Sequence, residues 1–437
     1  MNNITIFDYM YTKYKITKPI RLIELFSGYG SQALALKYLG VNFEHWKTCE
    51  WAVKSIQAYK DIHFTDDNND YSKEWKDEHL ISWLFEKGIS SNYNEPMKKE
   101  QIIKLGEEKR RNIFNNIYAT HNLVNIQQVK GKDLDIKDTD KYEYIMTYSF
   151  PCQDLSLAGK GKGMADTSTR SGMLWEVERI LSECEELPQI LLMENVPQVH
   201  SLENMKDFHK WQVRLEELGY KNYWQDLIAT DYGIPQTRNR CFMVSILGDY
   251  SYSFPKPIPL KLKLKDMLED NVDEKYYIED DLLQHIIKTK QEHSEYTQYD
   301  RYNGEFEQLC RVWKDKAPTL HTKSKDIKIY EYKKQLTETI INVKDIKKTQ
   351  MLDLYNRNVA ADGLCQTVDT GYHNSIRLLD KCRIRKLTPL ECFRLMGVKD
   401  EDYYKIAKNQ SNSSLYHLAG DSIVVNVLME IFKEILK

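Results

Sequence analysis

The sequence has no run of apolar residues long enough to cross a membrane, since a spanning helix needs roughly 20 of them. Its first residues contain no basic segment followed by an apolar core, which is the pattern of an export signal. Internal repeats and low-complexity tracts are absent as well. We therefore expect a protein of the cytoplasm that does not associate with a membrane.

Cysteines are few, and their spacing along the sequence shows no metal-binding or disulfide pattern. Eight cysteines are scattered over 437 residues, and no two of them form a C-x-x-C pair. That distribution argues against a zinc site and a disulfide framework, and it suits a reducing compartment. We expect no metal, and only its surroundings can mark a cysteine as catalytic.

An excess of positive charge is missing too. The formal net charge is −3, whereas nucleic-acid-binding proteins often carry a large positive excess. Opposite charges can lie on different faces of a folded protein, so a basic cleft is compatible with a slightly negative net charge. Composition alone permits nucleic-acid binding without supporting it, while 41% apolar and 29% charged residues are typical of a folded protein.

Apolar segments alternate with helical patterns over the first half of the chain. Residues 21–26, 144–148, 190–193 and 241–246 predict strands, and a helix ending at Gly40 and helices over 174–184 and 204–218 lie between them. This alternation predicts a parallel α/β sheet. The polar, helix-prone stretch 61–122 predicts an insertion that decorates the sheet as a solvated excursion. A substrate-contacting role for it is the less favoured alternative.

The chain changes character after Pro255. Prolines at 255, 257 and 259 block both a helix and a central strand, so this stretch predicts a linker. We assign residues 1–255 to a large domain and 256–380 to a second, less regular one. In the C-terminal segment 381–437, the apolar pattern over 423–436 predicts a helix that packs back on the large domain.

Gly28 and Gly30 lie between a predicted strand and a predicted helix. Glycines there let the backbone approach a ligand closely, and the helix offers free N–H groups. The third glycine of the dinucleotide fingerprint is missing, because Ala33 occupies its place. Glu50, about 20 residues further on, suits ribose hydroxyls. The pattern favours a nucleotide site over its alternative, a tight turn beside a buried Trp51.

Cys152 follows the predicted strand 144–148, where open α/β sheets bind ligands. The loop behind it, residues 154–163, contains glycines and lysines. A nearby basic group lowers the pKa of a thiol and raises its thiolate fraction. A Pro-Cys pair is by itself more often structural, and the basic loop favours a reactive cysteine.

Two further strand ends carry charged side chains. Glu194 ends the strand 190–193 as either a turn cap or an acid/base group. Arg238 and Arg240 precede the strand 241–246 and point the same way if that segment is extended. Ends of successive strands converge on one cleft, so these residues together with Cys152 predict a single active site.

These blocks, in this order, resemble the cytosine-5 DNA methyltransferases of bacteria and their phages. The resemblance covers almost the whole chain except the insertion and residues 255–379. It implies an α/β fold with a Rossmann-like S-adenosylmethionine-dependent catalytic domain and a smaller, irregular, mostly β target-recognition domain. The matching blocks are 26–30, 50–51, 150–156, 171–174, 193–196, 236–240, 385–397 and 419–425.

The resemblance also implies a reaction. A cytosine is flipped out of duplex DNA within a short specific sequence, and Cys152 adds to C6 of its ring. C5 then takes the methyl group of S-adenosyl-L-methionine, which leaves S-adenosyl-L-homocysteine. Glu194 hydrogen-bonds N3 and the amino group of the base. Arg240 holds the base carbonyl, with Arg238 nearby.

For the cofactor, the resemblance places Phe26 and Trp51 on either side of the adenine and Glu50 on the ribose hydroxyls. Asn125 stands where the family usually has Asp, and Asp421 stands where it usually has Asn. The added charge of Asp421 either weakens binding of the methionine carboxylate or points away. The implied cofactor-binding residues are Phe26, Ser27, Gly28, Gly30, Glu50, Trp51, Asn125, Ile126, Leu174, Ser422 and Ile423.

Double-stranded DNA is the implied partner, and residues 363–375 resemble the segment that enters its major groove. We expect a monomer, with a cognate restriction endonuclease as a potential partner. The implied DNA contacts are Gln153, Ser156, Lys160, Lys162, Gln366, Thr367, Asn374 and Arg377.

Other functions remain as alternatives. A tRNA cytosine-5 methyltransferase shares the fold, but those relatives usually have a second proline in place of Phe150 and lack a long recognition domain. A catalytically inactive S-adenosylmethionine-binding regulator is favoured only by Asp421 and opposed by Cys152, Glu194 and Arg240. A nucleotide-dependent oxidoreductase is opposed by the absence of the third glycine of the dinucleotide fingerprint, at Ala33.

Overall fold

A six-stranded sheet organises the chain in the structure, a computed structural model that describes residues 12–151, 171–277, 351–353, 358–359, 376–380 and 383–437. The order of its strands is β3-β2-β4-β5-β7-β6. A separate two-stranded parallel pair joins β1 to β8. The strands of this part of the chain are β1 (Thr12–Lys13), β2 (Ile20–Leu25), β3 (Phe43–Cys49), β4 (Glu143–Tyr148), β5 (Ile190–Asn195), β6 (Tyr220–Ile228), β7 (Asn239–Leu247) and β8 (Tyr250–Ser251).

The sheet is only partly parallel. Strands β3, β2, β4 and β5 are parallel, but β7 runs antiparallel to both β5 and β6. The expectation of a parallel sheet was therefore wrong for β7, whereas β6 runs in the same direction as the first four strands. Because β7 is reversed, its first residues lie beside the last residues of β5, with Cys241 opposite Asn195. The start of β7 and the carboxyl ends of the parallel strands share one edge.

The central strands are buried on both faces, as their nearly continuous apolar sequences require. Every residue of β2, β4 and β5 is buried. Neighbouring side chains serve different cores: Ile145 joins one cluster, whereas Tyr144 and Met146 join the other. Burial of these apolar side chains, each contributing about 1.5–3 kcal/mol, fixes the register of the strands and hence where each strand ends.

Helices cover both faces of the sheet. The first core contains residues of α1 (Ser31–Tyr38) and α2 (Val53–His63). The second core contains α6 (Leu174–Glu183) and α7 (Met205–Glu217), whose Trp211 is fully buried and donates a hydrogen bond to the hydroxyl of Tyr148 over 3.1 Å. Both latter helices lie within two residues of their predicted ends.

The stretch 61–122 is helical, as expected, and it contains α3 (Asp77–Lys87), α4 (Lys99–Ile103) and α5 (Glu107–Ala119). These helices share a small apolar core with α2, to which Leu84, Ile102 and Ile117 contribute. Arg110 ties the helices together, since its guanidinium pairs with Asp77 and donates to the carbonyl of Ile103 over 2.7 Å. The insertion is thus a packed layer rather than a solvated excursion.

Four helices close the chain: α8 (Pro389–Leu395), α9 (Asp400–Ala407), α10 (Asn412–Asp421) and α11 (Val425–Ile435). Thr388 caps α8 and forms a capping box with Glu391. Among the described residues, the segment Asn412–Ile435 has the length and hydropathy of a membrane span. It consists of α10 and α11 and is 61% buried inside the protein, so its apolar side chains pack the core.

Beyond the proline-rich stretch, Leu264 and Met267 are buried in the same core as α8 and α11. Further on, the described residues include a four-stranded antiparallel sheet of order β10-β9-β11-β12. Three of its strands lie in the predicted second domain, and the boundaries of the domains remain predictions. The strands are β9 (Met351–Asp353), β10 (Asn358–Val359), β11 (Ile376–Asp380) and β12 (Arg383–Arg385).

Candidate active site

A cavity of about 650 Å³ opens where β2, β3, β4 and β5 end and β7 begins. Its wall contains most of the site residues that the sequence predicts among those described. Both ends of the chain contribute, together with the insertion. The wall includes Phe26, Ser27, Gly28, Glu50, Trp51, Tyr93, Asn125, Ile126, Pro151, Met173, Glu194, Arg238, Arg240, His417, Asp421, Ser422 and Ile423.

The turn after β2 is held in an unusual backbone conformation at the cavity wall. Phe26 has φ 57°, in the left-handed region that residues other than glycine rarely adopt, and its N–H donates to the carbonyl of Cys49 over 2.7 Å. Gly28 has φ 55°, and a Cβ built there would meet no atom within 4 Å. Ser27 is buried, and its Oγ has no hydrogen-bond partner. The turn therefore offers an open groove and an unsatisfied hydroxyl.

Glu50 links this turn to the end of β3. Its Oε2 accepts from the N–H of Gly28 over 3.1 Å, and its Oε1 accepts from the N–H of Ala52 over 2.8 Å. Burial raises the pKa of Glu50 to about 7, although both backbone hydrogen bonds act to lower it. The carboxyl is held rigidly and can accept further hydrogen bonds from a ligand in the cavity.

Two predicted cofactor contacts are placed away from the wall. Gly30 is not a lining residue: a Cβ there would lie 2.4 Å from Nε2 of His63 and 2.6 Å from Tyr59, so glycine is needed for the packing of α2. Leu174 is fully buried in the second core, and its neighbour Met173 lines the cavity instead. The side-chain positions of both residues serve packing between helices and sheet, and their contact with a cofactor stays a prediction.

Asn125 and Ile126 also line the cavity. The Oδ1 atom of Asn125 accepts from the N–H of Gln127 over 3.1 Å, so this oxygen already shapes its own loop. The preceding residue, Val124, has φ 69°. Both residues thus line the cavity, while Nδ2 of Asn125 packs near Gly88.

Glu194 and Arg240 meet at the inner end of the cavity. Nε of Arg240 lies 3.2 Å from Oε1 of Glu194, and each side chain is largely buried. Burial raises the pKa of Glu194, and the nearby Arg240 and Arg238 only partly offset this effect. A carboxyl whose pKa is raised can hold or share a proton, so this pair is suited to acid/base chemistry.

Arg238 also reaches the cavity, but it performs another task. Its Nη2 donates to the carbonyls of Gly420 and Ser422 over 2.9 and 2.8 Å. Burial lowers the pKa of Arg238 to about 9, with Arg240 acting in the same direction. The guanidinium of Arg238 thus anchors the C-terminal turn, and its action on the substrate alongside Arg240 stays a prediction.

That C-terminal turn is fastened from a second side by Tyr29. The hydroxyl of Tyr29 donates to Oγ of Ser422 over 2.8 Å, and Oγ of Ser422 donates to the carbonyl of Ala419 over 2.9 Å. Ser422 and Ile423 are therefore held at the cavity wall, where the sequence places them. Gln236 fastens a different element, since its Nε2 donates to the carbonyl of Leu395 on α8 over 2.7 Å.

The segment before the proposed nucleophile follows β4. Ser149, Phe150 and Pro151 line the cavity, and Nδ2 of Asn195 donates to the carbonyl of Phe150 over 3.0 Å. Arg377 lies on β11, for which only the backbone is described. The other predicted residues Cys152, Gln153, Ser156, Lys160, Lys162, Gln366, Thr367 and Asn374 lie outside the described residues.

Sequence patterns missed the contribution of the insertion. Residues Tyr93, Asn94, Glu95 and Pro96 line the cavity. No motif marks them, and only the three-dimensional packing brings them to this wall. A substrate-contacting role was the less favoured alternative for the insertion. Its position at the cavity wall now favours that role.

The described residues also bring potential metal ligands together away from the cavity wall. His200, Asp226 and Cys241 have ligand atoms within 4.8 Å of one another, and Nε2 of His200 lies 2.9 Å from Oδ1 of Asp226. Burial, together with Asp226, raises the pKa of the Cys241 thiol. Because metals bind the thiolate, this environment opposes metal binding.

Comparisons with known proteins agree with this geometry. The model of the family described as "C-5 cytosine-specific DNA methylase" matches residues 101–437. The type II methyltransferase M2.ScrFI of Lactococcus lactis subsp. cremoris is 31% identical over 428 residues, which are 96% of this chain and 99% of the relative. The orphan methyltransferase M.SssI of Spiroplasma monobiae is 38% identical over 246 residues, 54% of this chain and 61% of the relative.

Solved structures share the fold. The Dnmt2 methyltransferase of S. pombe superimposes with a TM-score of 0.52 at 14% identity, over 95% of this chain and 98% of the other. The methyltransferase EhMeth of Entamoeba histolytica gives a TM-score of 0.52 at 16% identity, over 96% and 98%. At these identities the structures establish the architecture alone, a mixed α/β methyltransferase fold with a central sheet.

Proposed function

Since the chain belongs to the C-5 cytosine-specific DNA methylase family and is a DNA cytosine-5 methyltransferase, we propose that its cavity binds S-adenosyl-L-methionine beside a cytosine flipped out of duplex DNA. The observation that carries this proposal is the convergence of Glu50, Glu194 and Arg240 on one cavity, directly beside the segment that leads to Cys152. One end of the cavity offers acceptors for a nucleoside, and the other offers an acid/base pair.

The residues at the first end fit S-adenosyl-L-methionine. The unsatisfied Oγ of Ser27 and the open space over Gly28 provide a hydroxyl and a groove that a ligand can use. Glu50 accepts ribose hydroxyls, while Phe26 and Trp51 flank the adenine. When bound, the cofactor supplies an electrophilic methyl group on its sulfonium, and S-adenosyl-L-homocysteine remains. Asn125, Ile126, Ser422 and Ile423 complete the wall, and no metal is required.

Cys152 is the proposed nucleophile. Its thiolate adds to C6 of the cytosine, the electrons of the C5–C6 bond move to C5, and C5 forms the new bond to the methyl carbon. Loss of the C5 proton and elimination of the thiolate from C6 then restore the aromatic ring and the free cysteine. The hydrogen bond from Asn195 to the carbonyl of Phe150 fixes the backbone from which Cys152 continues.

Glu194 and Arg240 stabilise the charge that develops in the base. As the thiolate adds, electron density accumulates on the ring and on its carbonyl. Glu194, whose pKa is raised by burial, shares a proton with N3 and accepts from the amino group. Arg240 donates to the carbonyl oxygen from the other side of the same ion pair. Arg238 contributes by holding residues 420–422 in place.

The remaining parts of the proposal concern the partner molecules. Double-stranded DNA is the substrate, and a target inside a duplex must leave the base stack to reach Cys152 and Glu194. The region from Pro255 to Leu379 reads the DNA sequence, and the lysines of residues 154–163 contact its backbone. We place the protein in the cytoplasm as a monomer, with a cognate restriction endonuclease as a potential partner.

Bisulfite sequencing of plasmid DNA from cells that express the protein tests the proposal. Methylated cytosines within one reproducible short motif are expected. The Cys152→Ala variant should leave the plasmid unmethylated and yet bind S-adenosyl-L-methionine as tightly as the parent in calorimetry. Methylation by the variant, or an unmethylated plasmid from soluble parent protein, contradicts the proposal. Parallel sequencing of cellular tRNA separates DNA from RNA as the substrate.

A further inference from the structure

Tyr93 brings the insertion to the cavity through a strained backbone. It has φ 63°, in the left-handed region, and its side chain lines the cavity while remaining outside the apolar core of the insertion. A residue other than glycine holds this conformation only where its surroundings dictate it, and such residues cluster at functional sites. The position of the Tyr93 ring therefore needs a reason other than packing within the insertion.

The ring of Tyr93 packs against helix α10, near the C-terminal end of the sequence. The rings of Tyr93 and His417 have centroids 4.0 Å apart, at an interplanar angle of 40°. Nε2 of His417 lies 3.0 Å from Oδ2 of Asp421, in an i,i+4 pair on the same helix. These side-chain contacts, from Tyr93 to His417 and from His417 to Asp421, run along the cavity wall. They connect the insertion to the turn that Arg238 anchors.

On its other side, Tyr93 faces the part of the cavity around Glu50. Its hydroxyl lies 3.5 Å from Oγ of Ser55, on the first turn of α2, just beyond Glu50 and Trp51. Glu50, Trp51, Ser55 and Tyr93 all line the cavity. An aromatic ring at this position presents a large, rigid apolar surface to a ligand bound by the Glu50 carboxylate.

We propose that Tyr93 is a cofactor-binding residue supplied by the insertion, and that His417 and Asp421 position its ring over the adenosine end of the site. This inference rests on the proposed function, because it assumes that S-adenosyl-L-methionine binds at Glu50. It also gives Asp421 a role, because its carboxylate lies beside the imidazole that packs against Tyr93. The insertion then contributes to retention of cofactor and product rather than to methyl transfer.

Calorimetric titration with S-adenosyl-L-methionine and S-adenosyl-L-homocysteine tests this role in three variants. Tyr93→Gly removes the ring and also relieves the positive φ, so relief of backbone strain should partly offset the stability lost with the His417 contact. Its affinity for both ligands should fall by about tenfold, because a stacked aromatic surface is lost. Tyr93→Phe keeps the ring and should bind as the parent does. Tyr71→Ala changes an exposed tyrosine of the insertion that is not a lining residue, and should also bind normally.

Kinetics separate a binding role from a structural one. Tyr93→Gly should raise the KM for S-adenosyl-L-methionine by a similar factor, with kcat at saturating cofactor and the KM for DNA unchanged. Parental affinity of Tyr93→Gly for either ligand overturns the inference, as does equal loss in Tyr93→Phe and Tyr93→Gly with a lowered thermal midpoint. Failure of the unmutated protein to bind S-adenosyl-L-methionine contradicts the proposed function instead.

Discussion

Nε of Arg240 lies 3.2 Å from Oε1 of Glu194, on two neighbouring strands that run in opposite directions. Their antiparallel arrangement is what brings a residue at the start of one strand against a residue at the end of the other. Arg238, only two positions earlier, instead donates to carbonyls of the C-terminal turn. Two arginines of one motif thus have different partners: Arg240 pairs with Glu194, whereas Arg238 holds the C-terminal turn.

Replacing Arg240 by alanine should remove catalysis and also destabilise the protein. Glu194 would keep a buried carboxyl without its ion pair, which costs about 3 kcal/mol of unfolding free energy. The methyl-transfer rate at saturating substrates should fall at least about 100-fold, because charge on the base loses its stabilising partner. Single-turnover kinetics and urea unfolding measure the two effects.

The double variant Glu194→Gln/Arg240→Ala is the matched control for that result. A neutral amide needs no ion pair, so the double variant should recover most of the lost stability while remaining inactive. Recovery of activity together with stability would show that Arg240 acts only on the fold.

Arg238→Met should separate assembly from chemistry. Two buried carbonyls lose their donor, so the unfolding free energy should drop by about 2–4 kcal/mol. Affinity for S-adenosyl-L-methionine should fall as the turn at residues 420–422 loosens, while kcat at saturating cofactor stays within a few-fold of the parent. Calorimetry and initial rates test this. A variant with parental stability but no turnover would return Arg238 to the catalytic group.

Asn195→Ala should lower the rate without changing cofactor affinity, at some cost in stability because a buried carbonyl loses its donor. The amide donates to the carbonyl of Phe150 over 3.0 Å, so its loss releases the backbone that precedes Cys152. A misplaced nucleophile costs roughly 10–100-fold in the single-turnover rate, while cofactor affinity remains unchanged. Asn195→Asp keeps the shape but cannot donate to the carbonyl, and it should show the same defect. A parental rate in either variant would mean that this hydrogen bond does not position the nucleophile.

Glu50 should make stability depend on pH. Burial raises its pKa from 4.5 to about 7, so the folded state binds the proton more tightly than the unfolded chain. The resulting stability is complete below pH 4.5 and is lost as the pH rises to about 7. We expect a contribution of about 1–2 kcal/mol, because the carboxyl partly faces the cavity.

Urea unfolding across this pH range, in parallel for the parent and Glu50→Gln, measures the contribution of Glu50. Burial also raises the pKa of Glu24 to about 7, so Glu24→Gln serves as the control for a carboxyl that lies outside the cavity wall. Each variant should flatten the pH profile, but only Glu50→Gln should weaken binding of S-adenosyl-L-methionine. Identical pH profiles for the parent and Glu50→Gln would refute the assignment.

Much of the site follows from local patterns along the chain. Buried apolar strands end at recognisable places, and parallel strands bring their carboxyl ends to one edge. For that reason the amino-acid sequence alone predicts that Gly28, Glu50 and Glu194 lie together. The helices over 174–184 and 204–218 are equally predictable, because their apolar periodicity is clear.

Other features depend on contacts that a local pattern does not contain. An apolar segment such as 241–246 has the same sequence character in either direction, so the reversal of β7 was not foreseeable. The partners of Arg238 lie more than 180 residues away along the chain. Gly30 has the appearance of a ligand turn, yet its glycine is required by the rings of His63 and Tyr59. Tyr93 belongs to no motif at all.

The hydrogen bond from Tyr29 to Ser422 joins residues 393 positions apart. A ribosome adds about 5–20 residues per second, so Tyr29 emerges many seconds before its partner exists. Until residues 417–423 have been translated, the nascent chain lacks the C-terminal part of the cavity wall and the two carbonyls to which Arg238 donates. Methylating activity should therefore appear only after residues 417–423 have been synthesised, and chains that stop before them should leave DNA unmethylated.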